Sequence, residues 1–583
     1  MQYSELAGLY EKLEATSKRL EKTKILADFL KECSAKDVDK IILMVQGLVF
    51  PKFEENKIGI ASKLVVKALN TATGISSPDI EKSWKKTGDL GLTAEELMKR
   101  KRQHTLFSES LSVDKVYKNI RKLAEIEGTG STDVKMKTIS ELLTSAKPLE
   151  TRYIVRLLLE DLRVGLGEGT LRDAIALAYF ERKEKKDIDI QNAQGLFGKA
   201  SELSEIRDKI QQAYDVTNDY AAVAGILMDK GIDYLKKLQL DVFKPVKVML
   251  AQKVKDIDEG FEKVGKPAAL EYKYDGFRML IGKEKDKITI HTRRLENVTK
   301  QFPDVVSLIK ENVKTESCII DCEAVGFDAK TKKYVPFQNI SQRIKRKYDI
   351  DKMSKELPVE LNVFDIIYYE GKSMIDEKFE NRRKILEKII KQKELKIRLA
   401  EQLITDNKDK AQRFYEKSLN AGNEGIMLKT LNAPYKPGSR VGFMVKLKPV
   451  METLDLVIVA AEWGEGKRAG WLTSFTVACY DEDTDEFLEI GKFGTGIKEK
   501  EEEGTSFEEL TKLLKPFIIS EKGREVIIKP KIVVEIKFEE IQKSPSYSSG
   551  YALRFPRLVR IREDRRPDES SALSQIQGMY KEQ

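Results

Sequence analysis

Histidine and cysteine are scarce: the 583-residue chain has two histidines, His104 and His291, and four cysteines. So little imidazole leaves small room for histidine acid/base chemistry, and a nucleophile must be sought among other side chains. Cys33, Cys318, Cys322 and Cys479 are too few and too scattered for a disulfide framework, and their separations do not match a four-cysteine zinc site. Cys318 and Cys322 stand close together, but in the apolar run Cys-Ile-Ile-Asp-Cys they read as small buried residues. Long hydrophobic runs are missing too. The most apolar stretch, Ile41 to Phe50, is interrupted by Gln46 and Gly47, falls far short of the ~20 residues a spanning helix needs, and reads as a buried helix. Glu5 stands early and no basic segment followed by an apolar one opens the chain, so the expectation is a cytoplasmic protein without a leader or a membrane partner.

What the chain does have is charge, at 34% of residues against 41% hydrophobic, the balance of a folded globular protein. Its length exceeds what one hydrophobic core supports and implies roughly three or four domains. The net charge of +9 is weak evidence for a polyanionic partner, and its distribution says more. Arg554, Arg557, Arg560, Arg562, Arg565 and Arg566 face only Glu563 and Asp564 in that stretch, and Arg343, Lys345, Arg346 and Lys347 form a second cluster. Either run reads equally as solvated surface.

Up to about Asp241 the pattern is helical: Leu6, Leu9, Tyr10 and Leu13 fall at i, i+3, i+4 and i+7, and Ile154, Leu157 and Leu158 repeat the stripe. Gly165 to Thr170 has the glycines of a nucleotide loop, but no strand precedes it and Lys-Ser/Thr is missing, so a turn between helices is predicted. After Lys244-Pro245 the texture becomes short alternating strands, with Ile288, Ile290 and Thr292 on one face and Thr289 and His291 on the other, and a β-rich run from Val363 to Tyr368. Beyond Pro449 strands continue at Leu454 to Ala460, Thr473 to Tyr480 and Val533 to Phe538, as in a small β-barrel. The expected organisation is an all-α domain over residues 1–243, an α+β domain over 244–449 and a β-barrel over 450–583.

The octapeptide Glu271-Tyr272-Lys273-Tyr274-Asp275-Gly276-Phe277-Arg278 sets one lysine among two carboxylates, a glycine and an arginine. A lysine amine attacks only when unprotonated, so its surroundings must disfavour the charged form through burial or neighbouring cations. Gly276 allows close approach of the chain to a phosphate. Read alone, the octapeptide is equally a turn with a surface ion pair. Lys-x-Asp-Gly-x-Arg, however, resembles the first motif of the covalent nucleotidyltransferases: DNA ligases, RNA ligases and capping enzymes. Companions follow in order: Thr292-Arg293-Arg294-Leu295-Glu296, Ile320-Asp321-Cys322-Glu323, Val363-Phe364-Asp365, Glu424-Gly425-Ile426-Met427-Leu428-Lys429, Lys446-Leu447-Lys448, and Arg562-Glu563-Asp564-Arg565 behind Arg554-Phe555-Pro556-Arg557. Two departures are visible: Arg565 stands where the last motif often ends in lysine, and Met444 where the fifth often opens with tryptophan.

The resemblance implies roles. Lys273 is the nucleophile on the α-phosphorus of ATP; Glu271 and a stacked Phe364 hold the adenine; Arg278 and Arg293 contact ribose and phosphates; Glu323 and Glu424 bind the ribose or Mg²⁺, with Mn²⁺ as the alternative; Arg440, Lys446 and Lys448 neutralise the α-phosphate; Arg562 and Arg565 orient pyrophosphate. Phosphoryl transfer needs such cations because charge on the phosphate oxygens must be stabilised. The helical first part, including Arg163 to Thr170, is similar to the DNA-binding domain of archaeal and eukaryotic replicative ligases, which implies an OB-fold barrel at the C-terminus. NAD-dependent ligases carry a zinc-binding cysteine set after the barrel, and none follows here, which favours ATP. The implied protein is a monomeric, nucleoid-associated DNA ligase acting on nicked duplex DNA. Gln103, Leu106 and Phe107 are similar to a sliding-clamp-binding peptide, and read equally as a loop tucked into the helical domain. Two rival readings stand beside this one: an RNA ligase or capping-type guanylyltransferase, and a non-catalytic DNA-binding scaffold of the same fold.

Overall fold

The computed structural model describes residues 1–54, 56, 58–100, 110–128, 130–184, 202–328, 330–335, 340, 343, 350–449, 453–499 and 505–582. Gln103, Leu106 and Phe107, and Lys345 to Lys347, lie outside the described residues. Two compact units emerge, Met1–Ala61 with Thr105–Pro449, and Ser62–His104 with Val450–Gln583. None of the described helices is long and apolar enough to cross a membrane.

The N-terminal part is helical. In the first unit the helix Tyr3–Glu14 buries Leu6, Leu9, Tyr10 and Leu13, the stripe that the spacing predicts. Its Glu14 accepts from both terminal nitrogens of Arg156 at 2.7 and 3.0 Å, which ties it to the helix Pro148–Leu158. The apolar stretch from Ile41 is helical only to Val45. Gly47 then turns at φ +76°, where a side chain would start 3.2 Å from Leu162 Cβ, so packing ends the helix earlier than apolar content suggests. Gly165 (φ +62°) opens the turn into the helix Glu168–Glu184, and the buried ammonium of Lys22 donates to the carbonyls of Val164 and Gly165.

The central domain is built on two sheets. β1 (Gln252–Val254), β2 (Ala268–Lys273), β9 (Gln402–Thr405), β10 (Gly425–Thr430) and β11 (Met444–Leu447) form one, in the order β1-β11-β10-β2-β9. The other runs β4 (Lys287–Thr292), β3 (Phe277–Glu284), β5 (Ser317–Gly326), β6 (Val359–Tyr369), β7 (Lys372–Ser373), with β8 (Ile397–Leu399) parallel on β6. One face of this second sheet packs Met279, Ile281, Ile290, Ile320 and Val363 into the largest core of the domain. Its other face is covered as well, by Leu240, Val242, Val246 and Met249 against Leu280, Ile319 and Ile367. Cys318 and Cys322 are fully buried free thiols in β5, as the apolar run predicts.

The C-terminal domain is β-rich. β12 (Thr453–Trp463), β13 (Leu472–Asp481), β14 (Glu486–Phe493), β15 (Ile518–Lys522), β16 (Glu525–Ile528), β17 (Val533–Lys537) and β20 (Arg557–Ile561) make an antiparallel seven-stranded sheet in which β12 pairs with three partners, and β18 (Glu540–Lys543) and β19 (Tyr551–Arg554) form a hairpin. One core, with Phe475, Phe493 and Phe507 fully buried, fills it. The helices Ser62–Thr73, Ser77–Thr87 and Leu90–Lys99 belong to this unit, where Gly466 donates to the Gly88 carbonyl at 3.3 Å.

Alternation in β4 predicts a half-buried strand, yet His291, opposite Leu280 on β3, is 3% exposed because the second face of the sheet is covered. Burial alone lowers its pKa from 6.5 to about 4. The unfolded chain therefore binds a proton that the folded chain refuses, so stability is intact above pH 6.5 and is lost as pH falls toward 4, by on the order of 3 kcal/mol at the limit. Denaturant unfolding of wild type and His291→Leu at pH 7 and pH 4.5 should show a smaller acid-induced loss in the variant; equal losses would assign the acid sensitivity elsewhere.

Candidate active site

The end of β2 carries the reactive candidate. Antiparallel pairing with β10 places Lys273 opposite Gly425 and Glu271 opposite Met427, and pairing with β9 places Glu271 opposite Gln402. Glu424, the residue before β10, donates its backbone N–H to the Lys273 carbonyl at 2.8 Å, and its carboxylate forms an ion pair with the Lys273 ammonium. Lys448, just past β11, binds the same carboxylate oxygen at 2.8 Å. Burial would raise the Glu424 carboxyl, but Lys273 and Lys448 outweigh burial and hold it down at about 2. A carboxylate so placed is a fixed negative charge between two lysines.

Glu323 belongs to the same electrostatic cluster from the other sheet. It pairs with Arg278 across β3–β5, and Gly276 lets the chain pass it: a side chain on Gly276 would begin 2.8 Å from Glu323 Cγ and 2.6 Å from the Ala324 carbonyl oxygen. Burial pushes the Glu323 carboxyl up to about 8 against the pull of Lys273 and Arg278, and the charge of Glu424 adds to the rise. Burial favours the neutral form of Glu323 beside the fixed charge of Glu424, and a divalent cation would favour its ionised form instead.

Phe364 owes its position to a bulge. Val363 pairs with Cys322 and Asp365 with Asp321, so Phe364 is the extra residue of β6, and its ring packs against the core of the five-stranded sheet rather than that of its own. Bulges re-aim side chains in this way beside functional sites. The Arg278 guanidinium lies 5.2 Å from the ring centroid and the Lys429 ammonium 4.9 Å. Arg278 is further held by both oxygens of buried Asp321, at 2.8 and 2.5 Å, and Asp321 also accepts from the Tyr435 hydroxyl at 3.1 Å.

The structure thus brings Lys273, Glu424, Lys448, Glu323, Arg278, Phe364 and Glu271 into one domain at the facing sheets. Lys446 lies on β11 opposite Met427, the neighbour of Glu271 across β10. Arg293, on the turn after β4, and Arg440, between β10 and β11, are exposed. Arg562 and Arg565 belong to the other compact unit, where both bind Asp455, Arg562 at 2.8 Å and Arg565 at 3.3 Å. Arg343, expected in a surface cluster, is instead buried, stacked 4.3 Å from the Phe302 ring centroid and paired with Asp304.

Three neighbours of Glu271 were not singled out from sequence: Lys429 at 2.5 Å, Gln402 at 2.9 Å and Arg383 at 3.7 Å. Lys429 closes the motif that begins at Glu424, and that is its only sequence signal. Gln402 and Arg383 have none, because they reach Glu271 through the fold.

Comparison with known proteins extends the match beyond this site. Three family models align in order: DNA ligase N terminus over residues 2–176, ATP dependent DNA ligase domain over 248–448, and ATP dependent DNA ligase C terminal region over 468–565. The DNA ligase of Nanoarchaeum equitans (strain Kin4-M) is 49% identical over 586 residues, covering all of this chain and 99% of that protein. Those of Thermococcus fumicolans and Archaeoglobus fulgidus are 41% and 39% identical over 582 residues each, covering all of this chain and 98% and 99% of theirs. Among solved structures, Pmar-Lig_PreS3 shares the fold, with a TM-score of 0.57 over 96% of this chain and 99% of that one at 17% identity. Full-length similarity of this kind leaves no room for the capping-enzyme, RNA-ligase or scaffold readings, and the chain belongs to the ATP-dependent DNA ligase family.

Proposed function

We propose that nick sealing by this ligase runs through a covalent lysyl-AMP intermediate on Lys273, and the observation that carries the proposal is the Lys273–Glu424–Lys448 cluster at the end of β2. In the first step the Lys273 amine, having released its proton to water, forms a P–N bond to the α-phosphorus of ATP as the bond to the β-phosphate oxygen breaks and pyrophosphate leaves. Lys448 is already bound to Glu424, so Lys273 can leave that carboxylate without stranding a buried charge. AMP then passes to the 5′-phosphate of the nick, and the 3′-hydroxyl displaces it.

Glu271 and Phe364 take the adenine, Arg278 and Arg293 the ribose and phosphates, and Arg440, Lys446 and Lys448 the α-phosphate. Glu323 and Glu424 fit a Mg²⁺ ion, or Mn²⁺, since one or two carboxylates completed by phosphate oxygens and water are its usual shell. Bound there, the ion supplies positive charge to the phosphate oxygens. The enzyme acts on nicked duplex DNA in replication, recombination and repair as a monomeric, cytoplasmic, nucleoid-associated protein.

Lys273→Ala should abolish the labelled adduct formed from α-labelled ATP, and sealing with it, while binding of a nicked duplex stays near wild type because phosphate contacts elsewhere supply most affinity. An adduct that survives the substitution would place the nucleophile at another residue.

Arg562 and Arg565 act in the first step by orienting pyrophosphate. Arg562→Ala and Arg565→Ala should cut lysine labelling by about 100-fold, the usual loss of one charge-stabilising donor, yet seal a pre-adenylated nick far better than that. Equal loss in both assays would mean that these arginines serve the domain's stability or DNA contact instead.

Gln103, Leu106 and Phe107 bind a sliding clamp, a reading that rests on their sequence alone. The Leu106→Ala, Phe107→Ala double variant should lose stimulation by the cognate clamp and keep unassisted sealing. Loss of unassisted sealing would show instead that the two side chains belong to the helical core.

A further inference from the structure

Glu271 is 2% exposed, and every neighbour identified around its carboxylate is a donor. Lys429 Nζ, from β10, lies 2.5 Å from Oε2. Gln402 Nε2, from β9, donates to Oε1 at 2.9 Å. Arg383, on the helix Phe379–Ile389, sets its Nη1 3.7 Å from Oε1, and that nitrogen is buried with no hydrogen-bond partner. Two cations and an amide thus surround one carboxylate. Lys429 is itself buried, its ammonium 4.6 Å from the Phe379 ring centroid and 4.9 Å from that of Phe364. The ion pair therefore sits beside the ring proposed to stack on the base.

A carboxylate held among donors can only accept, and with about four lone-pair positions it keeps capacity beyond Gln402 and Lys429. It suits the exocyclic amine that adenine carries at its six position and repels the carbonyl oxygen that guanine carries at that same position. Sites built on such a bond reject the wrong partner strongly, because the buried polar group is left unpaired. We propose that Lys429 is a positioning residue that fixes Glu271 as an acceptor-only group and so sets the preference for adenine over guanine nucleotides. The proposal rests on the reading of Glu271 and Phe364 as base contacts.

Lys429→Met keeps an unbranched stem against Phe364 and Phe379 and removes the charge. Adduct formation at Lys273 with α-labelled ATP and GTP, titrated in each nucleotide, should show KM for ATP raised by about 10-fold to 100-fold with a smaller change in kcat, and the ATP-over-GTP preference reduced by about 10-fold or more. Lys429→Arg should recover the preference. An unchanged preference in Lys429→Met, with ATP and GTP reactions reduced alike, would assign Lys429 a structural role only and overturn the proposal. Glu271→Gln separates the two levels: if it collapses the preference while Lys429→Met does not, the proposal alone fails, and if it leaves the preference intact, the base reading beneath it fails. Should the methionine variant not fold, Lys429→Gln, neutral and polar at the same place, is judged by the same criteria.

Discussion

Glu424 sits where β2 and β10 meet, with Lys273 and Lys448 on one of its oxygens, and the path of three strands is arranged to keep them there. A buried carboxylate is costly unless it is paired, and a buried pair is costly to break when one partner leaves alone. Gly425 makes the arrangement feasible. At φ +136° its missing side chain would begin 2.1 Å from the Leu447 carbonyl oxygen, so β10 and β11 approach as no other residue would allow, and Lys448 emerges from β11 within reach of Glu424. The position also explains why Glu424 is a poor proton acceptor: the two lysines favour its charged form and outweigh burial.

The same logic places the second carboxylate of the central domain in a different role. Glu271 lies two residues before Lys273 on β2, so alternation puts both on one face of the strand. Register then gives each its own company, Glu424 and Lys448 around Lys273, Lys429 and Gln402 around Glu271. The bulge at Phe364 completes the division by turning a ring of the other sheet toward the space between them. Two sheets, one bulge and two glycines thus bring short motifs spread from 271 to 448 together in one domain.

Much of this was legible before the fold was known, and for definite reasons. The helical stripes at Leu6 to Leu13 and Ile154 to Leu158 are buried as their spacing requires, since periodicity reports a face directly. The motif residues are legible as a set because each short motif keeps its local spacing along one strand or turn, and strand pairing brings the motifs together. What escaped is set by long-range packing. His291 looks outward-facing in β4 until residues 240–249 cover that face, and Arg343 looks like surface charge until Phe302 and Asp304 enclose it. Arg383 and Gln402 lie far from Glu271 in sequence, on a helix and a strand whose register no local pattern reveals. The helix through Ile41 ends earlier than its apolar run suggests for the same kind of reason, because Leu162 lies against the turn at Gly47.

Charge in the C-terminal domain shows why composition is a poor guide to an open basic surface. The arginine run from 554 to 566 is largely neutralised within its own unit: Arg554 binds Glu540, Arg560 binds Glu535, Arg566 binds Asp568, and Arg562 and Arg565 share Asp455. These pairs differ in how readily a phosphate displaces them. Arg560 and Arg566 are exposed at their heads, and surface ion pairs of that kind are weak, so a polyanion takes these arginines at little cost. Asp455 is 9% exposed and pinned at both backbone polar groups by Ser571, so it cannot follow its arginines. The Arg562 side chain, 13% exposed, is bound to both Asp455 oxygens and, through two further donors, to Asp564, whereas that of Arg565 is 41% exposed, with one contact to Asp455 at 3.3 Å and a hydrogen bond to the Glu569 carbonyl at 3.0 Å. Arg565, more exposed and held by one distant carboxylate contact and one carbonyl, is therefore the arginine freer to turn toward an incoming phosphate, and Arg562 the one for which an anion must compete with both Asp455 and Asp564.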